Sequence, residues 1–148
     1  INLTLLKAPL APDMNADKGI HKLTYSIYPW NGSFAESEVV RESYDINCPV
    51  MIAQGATEKS TSLFSVDAPN IIIETVKPPE DGSNDIIVRL YESKRMATRC
   101  VLSTSLPVTG LEETDMLENA QKTLEIKDNC VTLDFRPFEI KTIRLSHN

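Results

Sequence analysis

Apolar and polar residues alternate with a period of two along most of the chain, which is typical of strands that bury one face. About ten such stretches predict short strands, at 3–7, 21–27, 50–54, 63–66, 71–77, 86–91, 100–105, 123–126, 131–135 and 138–145. Gly, Pro, Asn and Asp residues predict turns between them, most clearly at 78–83, 108–110 and 127–129. This spacing favours a mainly β fold, an antiparallel β-sandwich, over alternating strand and helix units.

One segment departs from this alternation and predicts a single short helix near 34–45. The run from Ser33 to Glu36 fits a capping box, in which the first and fourth residues satisfy each other's backbone amides. Apolar residues then recur three to five positions apart as far as Tyr44. Cys48 and Pro49 should follow the end of the helix, because the residue before a proline is pushed away from helical geometry.

The polar, turn-rich stretch 55–62 is interpreted as a linker that closes a first part, residues 1–62, and precedes a second, residues 63–148. The second part contains most of the predicted strands and is expected to form a complete small sandwich. The first part would need partner strands from elsewhere, because a sheet of two or three strands is marginal alone. Since the chain starts with Ile1 and not with methionine, we expect it to be a piece of a longer protein.

Composition and charge narrow the classes of function. The 148 residues are enough to bury a core, and 15 Lys and Arg against 21 Asp and Glu give a net charge of −6. That charge argues against a surface that tracks nucleic-acid phosphates. No apolar run approaches the roughly 18 residues that a membrane span needs. Neither nucleic acid nor a membrane is therefore expected as a partner.

The cysteines and the motif content predict no catalytic and no metal site in this chain. Cys48, Cys100 and Cys130 are far apart and only two histidines accompany them, which is a poor set for a tetrahedral metal. Their odd number argues against a disulfide framework, so they are interpreted as small buried hydrophobes in a reducing compartment. No nucleophile or phosphate-binding motif is recognisable, and the acidic run at 112–118 is interpreted as a solvated face or turn.

The most informative segment for function is the irregular loop from Lys7 to His21, between the first two predicted strands. It combines two prolines, two aspartates, a glycine and a histidine, so it is predicted to be ordered, and such loops often carry binding groups. A structural alternative is that Asp13 and Asp17 cap turns and that His21 faces a neighbouring strand.

Seven short motifs follow one another in order from the first predicted strand to the last: LLKAP at 5–9, PDMNADKGIH at 12–21, YSIYP at 25–29, GSF at 32–34, IETVK at 73–77, VRLYE at 88–92 and FRPFEI at 135–140. With them, nearly the whole chain resembles the C-terminal end of a glycoside hydrolase family 38 α-mannosidase. It is most similar to the cytosolic and bacterial branch of that family.

The resemblance implies a non-catalytic β region of a retaining, zinc-dependent enzyme that hydrolyses α-mannosidic bonds in mannose-containing oligosaccharides. Residues 1–62 resemble the end of the family's large β super-sandwich, and residues 63–148 resemble its small C-terminal sandwich. The zinc ligands, the nucleophile and the acid/base carboxylate would all lie in a catalytic domain outside this chain. The implied partners are the catalytic and helical domains of the same cytoplasmic enzyme.

The resemblance also implies that the loop approaches the mouth of the catalytic domain, so Lys7, Asp13, Asp17 and His21 are candidates for shaping a mannose subsite or bracing the domain interface. Lys7 stands where the family often has arginine, and lysine cannot form a bidentate fork. Trp30 stands where a histidine is common. It is the sugar-stacking candidate of a second hypothesis, an autonomous carbohydrate-binding module. A third hypothesis is an unrelated adhesion-type sandwich.

Overall fold

A computed structural model describes residues 2–55 and 59–147, and within these ranges the chain forms eight strands, one α-helix and one turn of 3-10 helix. The strands are β1 Phe64–Val66, β2 Ile71–Lys77, β3 Ile86–Glu92, β4 Thr98–Thr104, β5 Val108–Thr114, β6 Ala120–Thr123, β7 Cys130–Phe135 and β8 Ile140–His147. The 3-10 turn is Phe34–Glu36 and helix α1 is Val39–Asn47. The prediction of a mainly β sandwich with one short helix is confirmed, with slightly fewer strands than expected.

Two antiparallel sheets enclose the core. One has the order β1-β4-β7 and the other has the order β2-β3-β8-β5-β6. Alternate residues of each strand point inward, so that each sheet contributes one apolar face. The five-stranded sheet contributes Ile71, Val88, Leu90, Leu111, Ile143 and Leu145, and the three-stranded sheet contributes Cys100, Leu102, Val131, Leu133 and Phe135.

Strand β5 corrects the prediction of a turn at 108–110. Val108–Thr114 pairs with β8 on one side and with β6 on the other. The alternation of apolar and polar residues is weak in this strand, and Leu111 is its only buried apolar residue. The acidic run, interpreted as a solvated face or turn, is partly strand: Glu113 accepts a hydrogen bond from Lys141 Nζ at 2.5 Å. A cross-strand ion pair of this kind stabilises the ladder without an apolar signal in the sequence.

The predicted helix at 34–45 is wrong in its continuity. The capping box forms, with Glu36 Oε2 accepting from the Ser33 amide at 2.7 Å, but it closes only the 3-10 turn. Ser37 is buried and extended, and its Oγ donates to the Phe34 carbonyl at 2.7 Å, so the chain leaves helical geometry before α1 begins. The predicted end is confirmed, because Cys48 caps α1 directly before Pro49.

The chain divides into two compact units, Ile1–Asn31 and Gly32–Asn148. The second unit contains α1 and all eight strands. Arg41 on α1 donates twice to the Pro69 carbonyl, at 3.2 and 3.0 Å, and Tyr44 Oη lies 3.3 Å from Tyr91 Oη on β3. Within the described ranges, no helix has the length and apolar character needed to cross a bilayer. The domain limits 1–62 and 63–148 stay a prediction.

The strands predicted at 3–7, 21–27 and 50–54 do not form in this structure. Their apolar side chains are exposed, including Ile27 with 82% of its surface accessible. A strand needs a neighbour to pair its backbone amides and carbonyls, and these three segments pair with no strand among the described residues. The alternation of apolar and polar residues in these segments is compatible with a β conformation. It does not provide the neighbouring strand whose backbone hydrogen bonds a sheet requires.

Candidate functional site

The loop between Lys7 and His21 is organised by short-range hydrogen bonds within its own length. Asp13 Oδ1 accepts from the Asn15 amide at 2.8 Å, and Asn15 Oδ1 accepts from Lys18 Nζ at 2.6 Å. An Asp side chain that accepts from the amide two residues on forms an Asx turn. The turn-capping alternative therefore describes Asp13 in this structure.

Asp17 and His21 are brought together, but through the backbone. Asp17 has a left-handed conformation with φ at 55°, and its carbonyl oxygen lies 2.7 Å from His21 Nε2. His21 thus bonds its own loop and not a neighbouring strand. The carboxylate of Asp17 and the amine of Lys7 are both exposed. No hydrogen bond in residues 2–31 joins the side chains of the four loop candidates to one another.

Trp30 lies outside this loop and stacks on another ring. The centroids of Tyr28 and Trp30 are 6.2 Å apart and their planes are inclined by 22°. This separation is within the range of offset-stacked aromatic pairs. Trp30 keeps 48% of its surface accessible, so the pair presents an exposed aromatic surface.

In the second unit, an open groove of about 440 Å³ lies between α1 and the edge strands β1 and β2. Its lining is Arg41, Tyr44, Asp45, Ser65, Val66 and Ile71 to Ile73. The hydrogen bond with Tyr91 raises the pKa of Tyr44, and the Arg41 guanidinium bonds Pro69. The groove therefore offers an apolar floor and a phenol that stays protonated, but no acid and base poised for catalysis.

The most unusual polar group is Glu92, which sequence reasoning missed as a site. Its side chain is fully buried, and its oxygens accept from Asn70 Nδ2 at 2.8 Å, the Lys94 amide at 2.7 Å and the Phe138 amide at 3.0 Å. Burial alone would raise the pKa of Glu92, but the donors of Phe138, Asn70, Lys94 and Met96 together hold it below its usual value. The alternation of β3 indicates the burial of Glu92, because Glu92 follows Val88 and Leu90 at every second position and so shares their inward-facing side of the strand.

Other carboxylates of the second unit are engaged by cations. Arg144 donates to Asp85 and Asp81, each at 2.6 Å, and ties the loop between β2 and β3 to β8. The Ser83 amide and the Arg144 guanidinium lower the pKa of Asp81 to about 2. A general acid needs a pKa near the working pH, and here the shift is in the opposite direction. These groups therefore stabilise the fold.

The cysteines and the acidic residues do not converge on a metal site. Among the described residues, no three His, Cys, Asp or Glu side chains are grouped so that they could hold an ion. The three thiols are unpaired: Cys100 is buried, Cys130 is half-buried and Cys48 is exposed at the end of α1. The interpretation of all three as buried hydrophobes is therefore wrong for Cys48, because the residue that caps the helix faces solvent. Burial raises the pKa of the Cys100 thiol to about 11.

Comparison with known proteins gives consistent matches. The profile of the glycosyl hydrolases family 38 C-terminal beta sandwich domain matches residues 70–143, which run from directly before β2 into β8. Similar proteins include Alpha-mannosidase 2C1 of Mus musculus (38% identical over 98% of this chain), Alpha-mannosidase 2C1 of Homo sapiens (36% over 98%) and Alpha-mannosidase G of Dictyostelium discoideum (34% over 100%). The chain spans only 15%, 15% and 14% of the lengths of these relatives, respectively.

Proposed function

Because the chain belongs to glycosyl hydrolase family 38, as a C-terminal β region of that family, we propose that it is the non-catalytic end of a retaining, zinc-dependent α-mannosidase. One observation carries this proposal. Nearly the whole chain matches proteins named α-mannosidases, and the matched region is only a small part of the length of each of them. The hypothesis of an unrelated adhesion-type sandwich is wrong, since the family match includes strands of both sheets, from β2 into β8.

The proposed chemistry takes place outside these 148 residues. Retention of configuration needs a carboxylate nucleophile about 5–5.5 Å from a second carboxyl that acts first as acid and then as base. In the described part of this chain, Asp81 and Asp85 are not available as such a pair of carboxyl groups, because Arg144 donates hydrogen bonds to both. The grouped donor set that zinc requires is also missing from the described residues. We therefore derive no catalytic step through this chain, whose proposed role is to support the catalytic and helical domains.

The proposed substrates are mannose-containing oligosaccharides, and the support for this is the name α-mannosidase that the relatives share. A cytoplasmic location is part of the same proposal. Its support is the set of three unpaired thiols, since disulfides are rare in the reducing cytosol. The loop residues Lys7, Asp13, Asp17 and His21 are proposed to face the mannose subsite or the domain interface, where the exposed Asp17 carboxylate would be available for a contact.

Hydrolysis of a chromogenic α-mannoside tests the proposal directly. We expect the full-length protein to release the chromophore in a reaction that a zinc chelator stops, and the 148-residue chain alone to release none. The measurement is the initial rate with each protein at equal molar concentration. Turnover by the chain alone, or a full-length protein without α-mannosidase activity, would contradict the proposed function.

The second candidate function, an autonomous carbohydrate-binding module, is favoured by one observation, the exposed Tyr28–Trp30 pair. A pyranose can place its apolar face on such rings. Trp30 is the single tryptophan of the chain, so its fluorescence reports on this pair alone. Under the first proposal, titration of the chain with mannose or mannobiose is expected to leave the emission unchanged. A saturable change that is lost in Trp30→Phe would favour the binding module.

A further inference from the structure

The groove lined by α1, β1 and β2, here called the α1 groove, lies where edge strands of the two sheets approach each other. Its volume is about 440 Å³, and its floor includes the buried residues Ile71 and Ile72. Small-molecule sites usually have volumes of about 300–1,000 Å³, with an apolar lining and a few polar groups that fix the orientation of the ligand. The α1 groove therefore has the size and the apolar floor of a small-molecule site.

The helical wall of the groove is fixed by two polar contacts with the sandwich. Arg41 donates to the Pro69 carbonyl at 3.2 and 3.0 Å, and Tyr44 Oη lies 3.3 Å from Tyr91 Oη. Residues three positions apart lie on the same face of a helix, so both contacts hold one face of α1 towards the strands. The ring of Tyr44, which lines the groove, is therefore held at both its backbone and its hydroxyl end.

Two polar side chains of the lining, Asp45 and Ser65, are exposed and have no hydrogen-bond or ion-pair partner among the described residues. Asp45 does not pair with Arg41, although residues four apart are neighbours on a helix. Arg41 instead bonds Pro69 and lies 3.7 Å from Glu38. A carboxylate only accepts hydrogen bonds, whereas a hydroxyl donates and accepts. The groove thus has an acceptor and a mixed donor and acceptor that a ligand rich in hydroxyl groups can use.

An extended peptide fits this groove poorly. A peptide that adds a strand to a sheet needs a regular edge several residues long. β1 has only the three residues Phe64–Val66, and the pairing of β2 shifts register between Ile73 and Thr75. Short edge strands and bulges are the usual means by which proteins prevent such strand addition.

An anionic ligand is also disfavoured by the charges of the lining. The Asp45 carboxylate would repel it, and the positive charge of Arg41 is partly balanced by Glu38 at 3.7 Å. A wholly apolar ligand would cover Asp45 and Ser65 without offering them a hydrogen bond, which is costly for polar groups. A neutral molecule with an apolar face and several hydroxyl groups meets both conditions.

We propose that the α1 groove binds a neutral pyranose residue of a mannose-containing oligosaccharide. The choice of a neutral sugar rests on the groove, and the choice of mannose rests on the proposed function. The apolar face of the pyranose contacts the ring of Tyr44 and the side chain of Ile72. Neighbouring hydroxyl groups of the sugar donate to the Asp45 carboxylate, and Ser65 bonds a further hydroxyl group.

Amide NMR spectra of the isotope-labelled 148-residue chain test the proposal. Titration with methyl α-mannoside or mannobiose is expected to shift the signals of Ser65 and of residues 71–73 saturably. The indole signal of Trp30, which belongs to the other unit, should stay unchanged. Three results would overturn the proposal: no saturable shift in the groove, the same shifts with inorganic phosphate, or shifts confined to Trp30.

Asp45→Ala is expected to weaken binding of methyl α-mannoside by about tenfold, because hydrogen bonds to a charged group are the stronger ones. The substitution should leave α1 folded, since an acidic residue near the C-terminal end of a helix opposes the helix dipole. Glu42→Ala is the matched control: Glu42 is an exposed acid of the same helix outside the groove lining, and its loss should change the affinity less than about twofold. Equal affinities of the two variants would refute the role of Asp45.

Hydrolysis of a chromogenic α-mannoside by the full-length protein reports on the proposed function separately. Sugar binding that is absent from the groove while hydrolysis is present contradicts only the groove proposal. Sugar binding that is present while the full-length protein lacks α-mannosidase activity contradicts only the proposed function.

Discussion

Glu92→Gln is expected to lower the free energy of unfolding of the chain by about 2–3 kcal/mol, because a buried donor is left facing another donor. Glutamine has the shape of glutamate, but one of its two ends is an amide NH2 group. That group must lie against Asn70 Nδ2 and the Lys94 amide, or against the Phe138 amide. In thermal unfolding followed by circular dichroism at neutral pH, we expect a midpoint lower by about 10 °C.

Glu125→Gln is the matched control, because Glu125 is exposed and lies between β6 and β7. We expect it to change stability by less than about 0.5 kcal/mol, as is usual for surface substitutions. Equal effects of the two substitutions would show that the Glu92 carboxylate does not stabilise the segments that contain its backbone donors, Lys94 and Phe138.

The pH dependence gives a second readout of the same group. The folded protein holds the pKa of Glu92 below its usual value of 4.5, so the unfolded chain binds the proton more readily. The contribution of Glu92 is therefore complete above pH 4.5 and is lost as the pH falls through the lower, folded pKa. We expect the stabilities of the wild type and Glu92→Gln to approach each other below pH 4.5, and parallel curves would contradict this assignment.

The strands that could be predicted are those whose stability comes from their own apolar alternation. β3 and β7 have buried residues at every second position, and this pattern can be read without knowledge of any neighbour. β5 is different, because it depends on contacts with β8, such as Glu113 with Lys141. A pairing between residues 28 positions apart leaves no periodic trace in either segment. Gly110 instead favours a turn at 108–110, and no apolar alternation in the sequence opposes that prediction.

In the first 54 residues, three strands are predicted that do not form, and the cause is the reverse of that for β5: the apolar alternation is present but the partner strand is not. The stretches 3–7, 21–27 and 50–54 do alternate, but alternation predicts only which face is apolar and not whether a partner strand is available. Near the helix, the local capping signal at Ser33 and Glu36 was correct. The break after it depends on the burial of Ser37, which is a tertiary effect.

The candidate site shows the same division between local and long-range information. The Asx turn at Asp13 follows from residue type alone and was predicted as an alternative. The contact of His21 with the Asp17 carbonyl depends on a left-handed residue that the sequence does not mark. Glu92 was missed because charged residues at strand ends are usually exposed, and its burial depends on donors from two distant segments.

Asp17→Ala in the full-length enzyme is expected to lower kcat/KM for an α-mannoside by about tenfold, which is a loss of about 1.4 kcal/mol in transition-state stabilisation. The physical reason is twofold: the substitution removes an exposed carboxylate proposed to face the mannose subsite or the domain interface, and it strains the left-handed backbone that presents the Asp17 carbonyl to His21. Steady-state kinetics with each purified variant provide the measurement.

Asp128→Ala separates these two causes. Asp128 is also exposed and also left-handed, with φ at 51°, but it lies in the turn between β6 and β7. Both substitutions place alanine in a backbone region that costs roughly 1–2 kcal/mol, so backbone strain alone should affect both variants similarly. We therefore expect Asp128→Ala to keep wild-type kcat/KM. If both variants lose activity equally, or if neither does, the loop between Lys7 and His21 has no special relation to the substrate.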